Sequence, residues 1–327
     1  MDKVSIVLLL KNAERYLEEI LCAIKNQNYC EDIEIIAIDS GSKDRTITIL
    51  SDFGIKPFKI RPEEFNHGET RNLGFRLSDK NSKYIVYLTQ DATPANRFWL
   101  INLLSPMMED DEVAGVFSRH LPRPDSTPSM VRQLTQNWQT GGDKRIVKLK
   151  PATEEEYKNK RFFLITFSNT SSAIRKSVLI KHPFPRTSFA EDMQWAEQVI
   201  QDGYKIVFEP SSQVIHSHDY SLLEHFRQNV DHSHAMKMLY SPEVYSDYKY
   251  WLKSFVAIPK QVWKDWLFIK KFEPFKNESF NRKLYFVWYS LFWHLAAALG
   301  SFVGSYLHLF PQSFQFFMVR QERIRRT

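Results

Sequence analysis

The chain has 327 residues, 43% hydrophobic and 25% charged, with 10 glycines and 15 prolines. That balance excludes disordered, collagen-like and low-complexity classes and leaves a folded protein of one large domain plus an appendage, or of two domains. The net charge of +6 suits anionic ligands such as nucleotides, anionic lipid or nucleic acid, and says nothing about fold.

The first 120 residues alternate short apolar runs with helical patterns, which is the signature of βαβ units in a mostly parallel sheet. Strands are expected over residues 4–9, 33–38, 56–60, 84–88 and 113–117, with helices over 13–25, 45–53, 69–77 and 97–108. Residues 121–160 are polar and rich in Pro and Gly, a long loop with a helix over 129–138. Strands follow over 162–167 and 205–208, separated by a helix over 191–201. In such open sheets ligands bind beyond the carboxyl ends of the strands, so polar residues just after strands are the candidates for chemistry.

From about Leu222 the pattern turns helical and aromatic, with Trp251, Trp263, Trp266, Trp288 and Trp293. Residues 284–319 contain no Asp, Glu, Lys or Arg and are followed by Arg320, Arg323, Arg325 and Arg326. The length would serve a membrane span, but Tyr, Trp, His, Ser and Gly throughout favour a helix lying at a membrane surface or packed on a partner. Ala296, Gly300 and Gly304 make one face small enough for another backbone to approach. The expected division is 1–230 and 231–327, the latter a surface for membrane or for a homo-oligomer.

The second strand ends in Asp39-Ser40-Gly41-Ser42-Lys43-Asp44. Asp39 is placed to accept hydrogen bonds from a nucleobase or ribose, while Asp44 or Ser42 equally caps the next helix. His67 and Arg71, in Asn66-His67-Gly68-Glu69-Thr70-Arg71-Asn72, open a helix whose N–H groups suit a diphosphate; a solvated helix start is the plainer reading. The fourth strand runs into Thr89-Gln90-Asp91. A carboxylate there is a good ligand for Mg²⁺ or Mn²⁺, which bridge diphosphate oxygens. His216 and His218 alternate after a strand-like segment and so share a face, as further ligands; Asp219 reads equally as a helix cap. Glu191 and Asp192 open a helix, where the dipole favours acids, and either could deprotonate an acceptor hydroxyl.

Taken in order, these residues resemble the inverting family 2 glycosyltransferases of GT-A fold, and among them bacterial rhamnosyltransferases, over residues 3–220. The likeness rests on Val4-Ser5-Ile6-Val7 with Asn12, Asp39-Ser40-Gly41-Ser42-Lys43-Asp44, the Asp91 turn and Ala190-Glu191-Asp192. The rhamnosyl likeness rests on the His67–Asn72 stretch, Leu88-Thr89-Gln90-Asp91, Arg119-His120-Leu121-Pro122-Arg123-Pro124 and Phe167-Ser168-Asn169. The resemblance implies an α/β fold of open mixed, mostly parallel sheet flanked by helices, with a helical aromatic-rich carboxyl-terminal region. It implies nucleoside binding by Asp39, metal binding by Asp91 with His216, and Asp192 as base beside Glu191. It extends the donor site to Asn12, Ser40, Asp44, His67, Arg71, Asn72 and Gln90. Thr89 stands where the family's metal motif has its first Asp.

The expected function is transfer of L-rhamnose from dTDP-L-rhamnose, with a divalent metal, onto a lipid-linked cell-surface polysaccharide at the cytoplasmic membrane face. With only Cys22 and Cys30 and no basic leader pattern, a reducing cytoplasm is the expected setting. The rival readings are a UDP-hexose or UDP-hexosamine donor, and a nucleotide-binding protein without chemistry. A nucleic-acid partner is not expected, since no basic stripe with interleaved aromatics appears in the α/β part. A dehydrogenase is a weaker reading still, since no G-x-G-x-x-G follows the first strand.

Overall fold

The protein is described from a computed structural model, over residues 2–136, 142–148, 154–187, 190–218, 220–239 and 247–319. It divides into two compact units, one of residues 1–123 with 134–217, the other of 124–133 with 218–327.

In the first unit β1 (Val4–Leu10), β2 (Ile33–Asp39), β3 (Phe58–Lys59) and β4 (Tyr84–Thr89) form a parallel half-sheet in the order β3-β2-β1-β4. β1 is buried almost throughout, as a central strand covered on both faces must be. The intervening helices are α1 (Glu14–Lys25), α2 (Thr46–Asp52) and α3 (His67–Leu77). α1 buries Leu17, Ile20, Leu21 and Ile24, the i, i+3, i+4, i+7 stripe of an amphipathic helix. α3 lies so close to β1 that a Cβ on Gly74 would meet Val7 Cγ1 at 2.3 Å.

Beyond β4 the sheet turns mixed, running on as β8 (Ser171–Arg175), β6 (Val113–Leu121), β9 (Lys205–Ile215) and β5 (Thr93–Pro94), with β7 (Arg145–Lys148) also on β9. β8 is antiparallel to both β4 and β6, whereas β6 and β9 are parallel. α4 (Trp99–Glu109), α6 (Glu154–Leu164), α7 (Lys176–Lys181) and α8 (Glu191–Gln201) complete the unit. The register of β9 on β6 shifts between Ser118 and Arg119, whose partners are Glu209 and Gln213. Pro210 lies within that irregularity, where a missing N–H interrupts no ladder.

The strand expected over 162–167 is instead the end of α6 and the turn after it. A short apolar run does not distinguish strand from helix, and here Arg161 pairs with Glu197 at 2.7 Å while Thr166 donates its hydroxyl to the Phe162 carbonyl. The strand actually present, Ser-Ser-Ala-Ile-Arg, is fully buried yet half polar, so periodicity conceals it. Its serine joins a hydroxyl chain in which Trp99 Nε1 donates to Ser171 Oγ at 2.9 Å, and Ser118 Oγ lies 2.7 Å from Ser171 and 2.8 Å from Ser212. α5 (Pro128–Gln136) occupies the place of the helix expected over 129–138, of which Trp138 lies outside the described residues.

The second unit is helical: α9 (Leu222–Leu239), α10 (Tyr248–Val256), α11 (Ile258–Lys271), α12 (Phe280–Ser305) and α13 (Gln312–Met318). Asp219 and the four trailing arginines lie outside the described residues. Among the described residues α12 is the one helix long and apolar enough to cross a membrane. Its small face has a partner within the unit, because a Cβ on Gly300 would sit 2.3 Å from the Phe226 carbonyl oxygen and one on Gly304 2.2 Å from that of Val230, both on α9. Gly304→Leu is expected to push α9 off this backbone contact and cost roughly 2–3 kcal/mol, read as a lower urea midpoint with unchanged m-value. The unit also fully buries the Asp265 carboxylate, which accepts from the Ser129 hydroxyl at 2.8 Å, from Ser290 and from Arg132, and lies 2.9 Å from His294 Nε2. Burial opposes its charge, but hydrogen bonds from His294, Ser290 and Arg132 hold its pKa down to about 2.

Candidate active site

The β-register brings the sequence-predicted residues to one edge of the sheet. Leu10 pairs with Asp39 on one side of β1, and Leu9 with Thr89 on the other, so the turns after β1, β2 and β4 emerge side by side. Asp39 is buried at the end of β2, and its carboxylate accepts from the Gly41 N–H at 3.1 Å and the Ser42 N–H at 3.2 Å. Gly41 has φ +91°, the left-handed conformation this tight turn requires. Ser40 donates its hydroxyl to the Leu10 carbonyl at 3.2 Å.

Asn12 and Asp44 lace the first two turns together. The Lys43 N–H donates to Asn12 Oδ1 at 2.8 Å, and the Asn12 N–H donates to Ser42 Oγ at 2.9 Å. Asp44 accepts from the Glu14 N–H at 3.0 Å and from Thr46 through both its N–H and hydroxyl, so it caps the starts of α1 and α2. Burial raises its pKa, but these hydrogen bonds outweigh it and hold the carboxyl below its ordinary value. Gln90 stitches the third turn to the first: its Oε1 accepts from the Lys11 N–H at 2.8 Å, and its Nε2 donates to the Lys11 carbonyl at 3.1 Å. The side-chain amide thus extends the β1–β4 ladder past the end of β4 and fixes where Asp91 begins its turn.

Asp91 meets His216 through a strand pairing too short to show a period. β5 is two residues long and antiparallel to β9, with Thr93 opposite Ile215, which folds the chain after Asp91 against the end of β9. His216 Nε2 lies 3.5 Å from Asp91 Oδ1. Asp91, His216 and His218 each offer a ligand atom, all within 4.8 Å of one another. Adjacent ligands at ~2.1 Å from one ion stand about 3 Å apart, so the donors need only a small contraction to close on a divalent cation. One carboxylate with two imidazoles suits a first-row transition ion such as Mn²⁺ better than Mg²⁺, which prefers oxygen.

Arg123, buried at the end of this region, holds the turn from behind. Its Nη2 donates to the Asp91 carbonyl at 3.0 Å, its guanidinium stacks 3.7 Å from the Tyr16 ring centroid, and its N–H donates to Ser217 Oγ at 3.1 Å.

A second cluster gathers around the start of α8. Arg71 of α3 pairs with Glu191 at 2.6 Å, with both side chains buried, across 120 residues of sequence. Asn72 locks the same region, its amide exchanging hydrogen bonds with the Phe184 carbonyl at 2.9 Å and N–H at 3.0 Å. A Cβ on Gly68 would fall 2.2 Å from the Pro185 carbonyl oxygen, so α3 and this segment are in backbone contact. His67 opens α3, its ring edge-on to Phe65 at 4.9 Å. Ser188 and Phe189 lie outside the described residues. Ala190, the residue before Glu191, has φ +55°, and with Asn12 at +50° it is one of two described non-glycine residues at positive φ. Left-handed strain at an alanine costs of order 1 kcal/mol and persists where surrounding contacts impose it, a pattern concentrated at functional sites.

The two acids of this cluster have opposite electrostatics. Burial pushes Glu191 up, but the charges of Arg71 and His67 outweigh it and hold the carboxyl below its ordinary range. Asp192 is pushed up to about 7, first by burial and then by the Glu191 carboxylate beside it. It accepts from the Asn169 N–H at 3.3 Å and from the Met193 N–H at 2.8 Å. Asn169, which the sequence placed in a motif but not in the site, also donates to Glu191 at 3.5 Å and accepts from the Ser172 hydroxyl at 2.9 Å. The next residue, Thr170, accepts the Thr89 N–H at 3.0 Å, so the loop before β8 spans from the Asp91 turn to Asp192.

This arrangement is a carboxylate raised towards neutrality and a group of three side chains able to hold a cation, near the turns that close a parallel half-sheet. Over residues 5–182 the chain matches Glycosyl transferase family 2. It belongs to that family. The transferase is 37% identical over 232 residues to the O-antigen chain rhamnosyltransferase RfbN of Salmonella typhimurium, spanning 70% of this chain and 71% of that protein. It is 36% identical over 200 residues to the O-antigen chain rhamnosyltransferase WbaN of Salmonella anatum, 61% of either chain. Its fold is similar to that of the mannosyltransferase PcManGT from Pyrobaculum calidifontis, solved with GDP-Man and Mn²⁺, at TM-score 0.57 and 15% identity over 92% of this chain and 87% of that one. The enzyme is therefore an inverting glycosyltransferase of GT-A fold.

Proposed function

We propose that this enzyme transfers L-rhamnose from dTDP-L-rhamnose to a hydroxyl of a growing, lipid-linked cell-surface polysaccharide, working at the cytoplasmic face of the membrane. The reading of a single inverting displacement is carried by Asp192, a carboxylate at about 7 whose neighbour Glu191 is held ionised by Arg71. The rhamnosyl reading is supported by the likeness to the two Salmonella O-antigen enzymes.

In this mechanism Asp192 takes the proton of the acceptor hydroxyl as its oxygen attacks the anomeric carbon from the face opposite the leaving diphosphate, and configuration inverts. Asn169 orients Asp192 through its N–H, and the Arg71–Glu191 pair keeps the second acid ionised and out of competition for the proton. Asp39 and Ser40, on turns braced by Asn12 and Asp44, receive the nucleoside; His67, Arg71, Asn72 and Gln90 border or brace the donor site. Asp91 with His216 and His218 would hold Mn²⁺ or Mg²⁺, which supplies positive charge to the departing diphosphate.

Calorimetric titration with dTDP-L-rhamnose, dTDP and UDP-glucose, each with and without Mn²⁺, tests donor and metal together. Binding of the dTDP ligands alone, weakened by about 10–100-fold in the metal-free protein and in His216→Ala, is the expected result. Binding of UDP-glucose in preference would replace rhamnose by a hexose, and a product of retained configuration would sink the single displacement.

A further inference from the structure

The solvent side of α11 has a composition unlike that of an ordinary exposed helix. Lys260, Trp263, Lys264, Leu267, Lys270 and Lys271 recur at the spacing of one helical face and are all exposed, Trp263 at 59%. The opposite face carries the buried Asp265, Phe268 and Ile269. No acid lies on the outward stripe, and residues 247–283 hold nine lysines and arginines against four acids, one of them the buried Asp265. α11 packs through Phe268 and Ile269 near Phe286 and Val287 of α12. The outward side of α12 continues as Leu284, Tyr285, Trp288 and Phe292, exposed and without charge, Trp288 at 57%. Large exposed apolar stripes mark interaction sites, and lysines flanking tryptophan suit the headgroup level of a negatively charged bilayer. Charge also selects among occupants, since a twofold contact between copies of this face would set lysine against lysine.

We propose that the outer faces of α11 and α12 dock the enzyme on an anionic phospholipid surface, lying in the headgroup layer with Trp263 and Trp288 inserted and the four α11 lysines against lipid phosphates. The inference rests on the membrane-surface placement proposed above and deepens it, naming the face and the lipid chemistry; it is independent of the donor sugar.

Co-sedimentation of the full chain with vesicles of phosphatidylcholine, with and without about 30 mol % phosphatidylglycerol, tests it. Binding to the anionic vesicles, lost at high salt, is expected, with tryptophan fluorescence quenched by brominated lipid, and quenched less in Trp263→Ser. Lys260→Glu with Lys264→Glu should weaken that binding at least about tenfold, and Trp263→Ser should weaken it with little change in its salt dependence. Both variants should keep donor binding in the calorimeter, so a failure to dock is separable from a failure of the transferase reading. Equal binding to pure phosphatidylcholine would overturn the proposal, as would absence of vesicle binding with a concentration-dependent dimer that the lysine reversals abolish.

Discussion

Asp192→Asn should lower kcat by about 10²–10⁴-fold while leaving donor affinity in the calorimeter within a few-fold of the unmodified enzyme. The amide keeps the shape of the carboxylate and, with its one oxygen, one of the two N–H contacts, but it cannot take a proton, so the loss falls on the chemical step. The pH profile carries the same information. A base at about 7 must be ionised to act, so kcat/KM should rise with pH and level off above about 7. Glu191→Gln removes the second cause of the elevation and should move that rise to lower pH, though not to the ordinary carboxylate range, because burial is the first cause. A rate that does not change between pH 5 and about 8 would dismiss Asp192 as the base.

Stability should respond to the same proton. The folded value lies above the ordinary 3.8, so the folded chain binds this proton more tightly than the unfolded chain does. The resulting stability is complete below about pH 4 and is lost as pH rises towards 7. Asp192→Asn cannot ionise, and above pH 7 its thermal midpoint should therefore exceed that of the active enzyme. Gain of stability with loss of turnover is the mark of an active-site carboxylate held against its own electrostatics.

Arg71→Met should destabilise the first unit by about 3–5 kcal/mol, a fall in thermal midpoint of about 10 °C, because it leaves the Glu191 carboxylate buried without its partner. The cost is that of an uncompensated buried charge rather than of one lost contact. Arg71→Met combined with Glu191→Leu should recover much of it, since removing both charges leaves nothing to desolvate. The two roles proposed for Arg71 separate in that double variant: restored stability with KM for donor still raised would place the guanidinium on the diphosphate, and restored KM would confine it to bracing Glu191. Full stability in the single variant would contradict the buried pair.

The sequence by itself determined the parallel half-sheet and the points at which chemistry leaves it. Alternating apolar runs and amphipathic helices are written locally, and an acid just past a strand end needs only the next few residues to be recognised, which is why Asp39 and Asp91 and the Glu191-Asp192 pair could be named from their order. The tertiary structure decided how they act. β5 is too short to show a period, yet its pairing with β9 carries Asp91 to His216. β8 is too polar to look buried, yet its place between β4 and β6 sets Asn169 against Asp192. The same apolar run that imitates a strand at 162–167 ends a helix, beside which Arg161 pairs with Glu197. The glycine face of α12 was legible as a close-packing face, but only the fold supplied α9 as its partner. Above all, Glu191 and Asp192 are adjacent acids in one helical turn, and nothing local tells them apart. A guanidinium 120 residues away ionises one, and burial beside that charge keeps the other near neutrality, because a pKa is set by whatever the fold brings within a few ångströms.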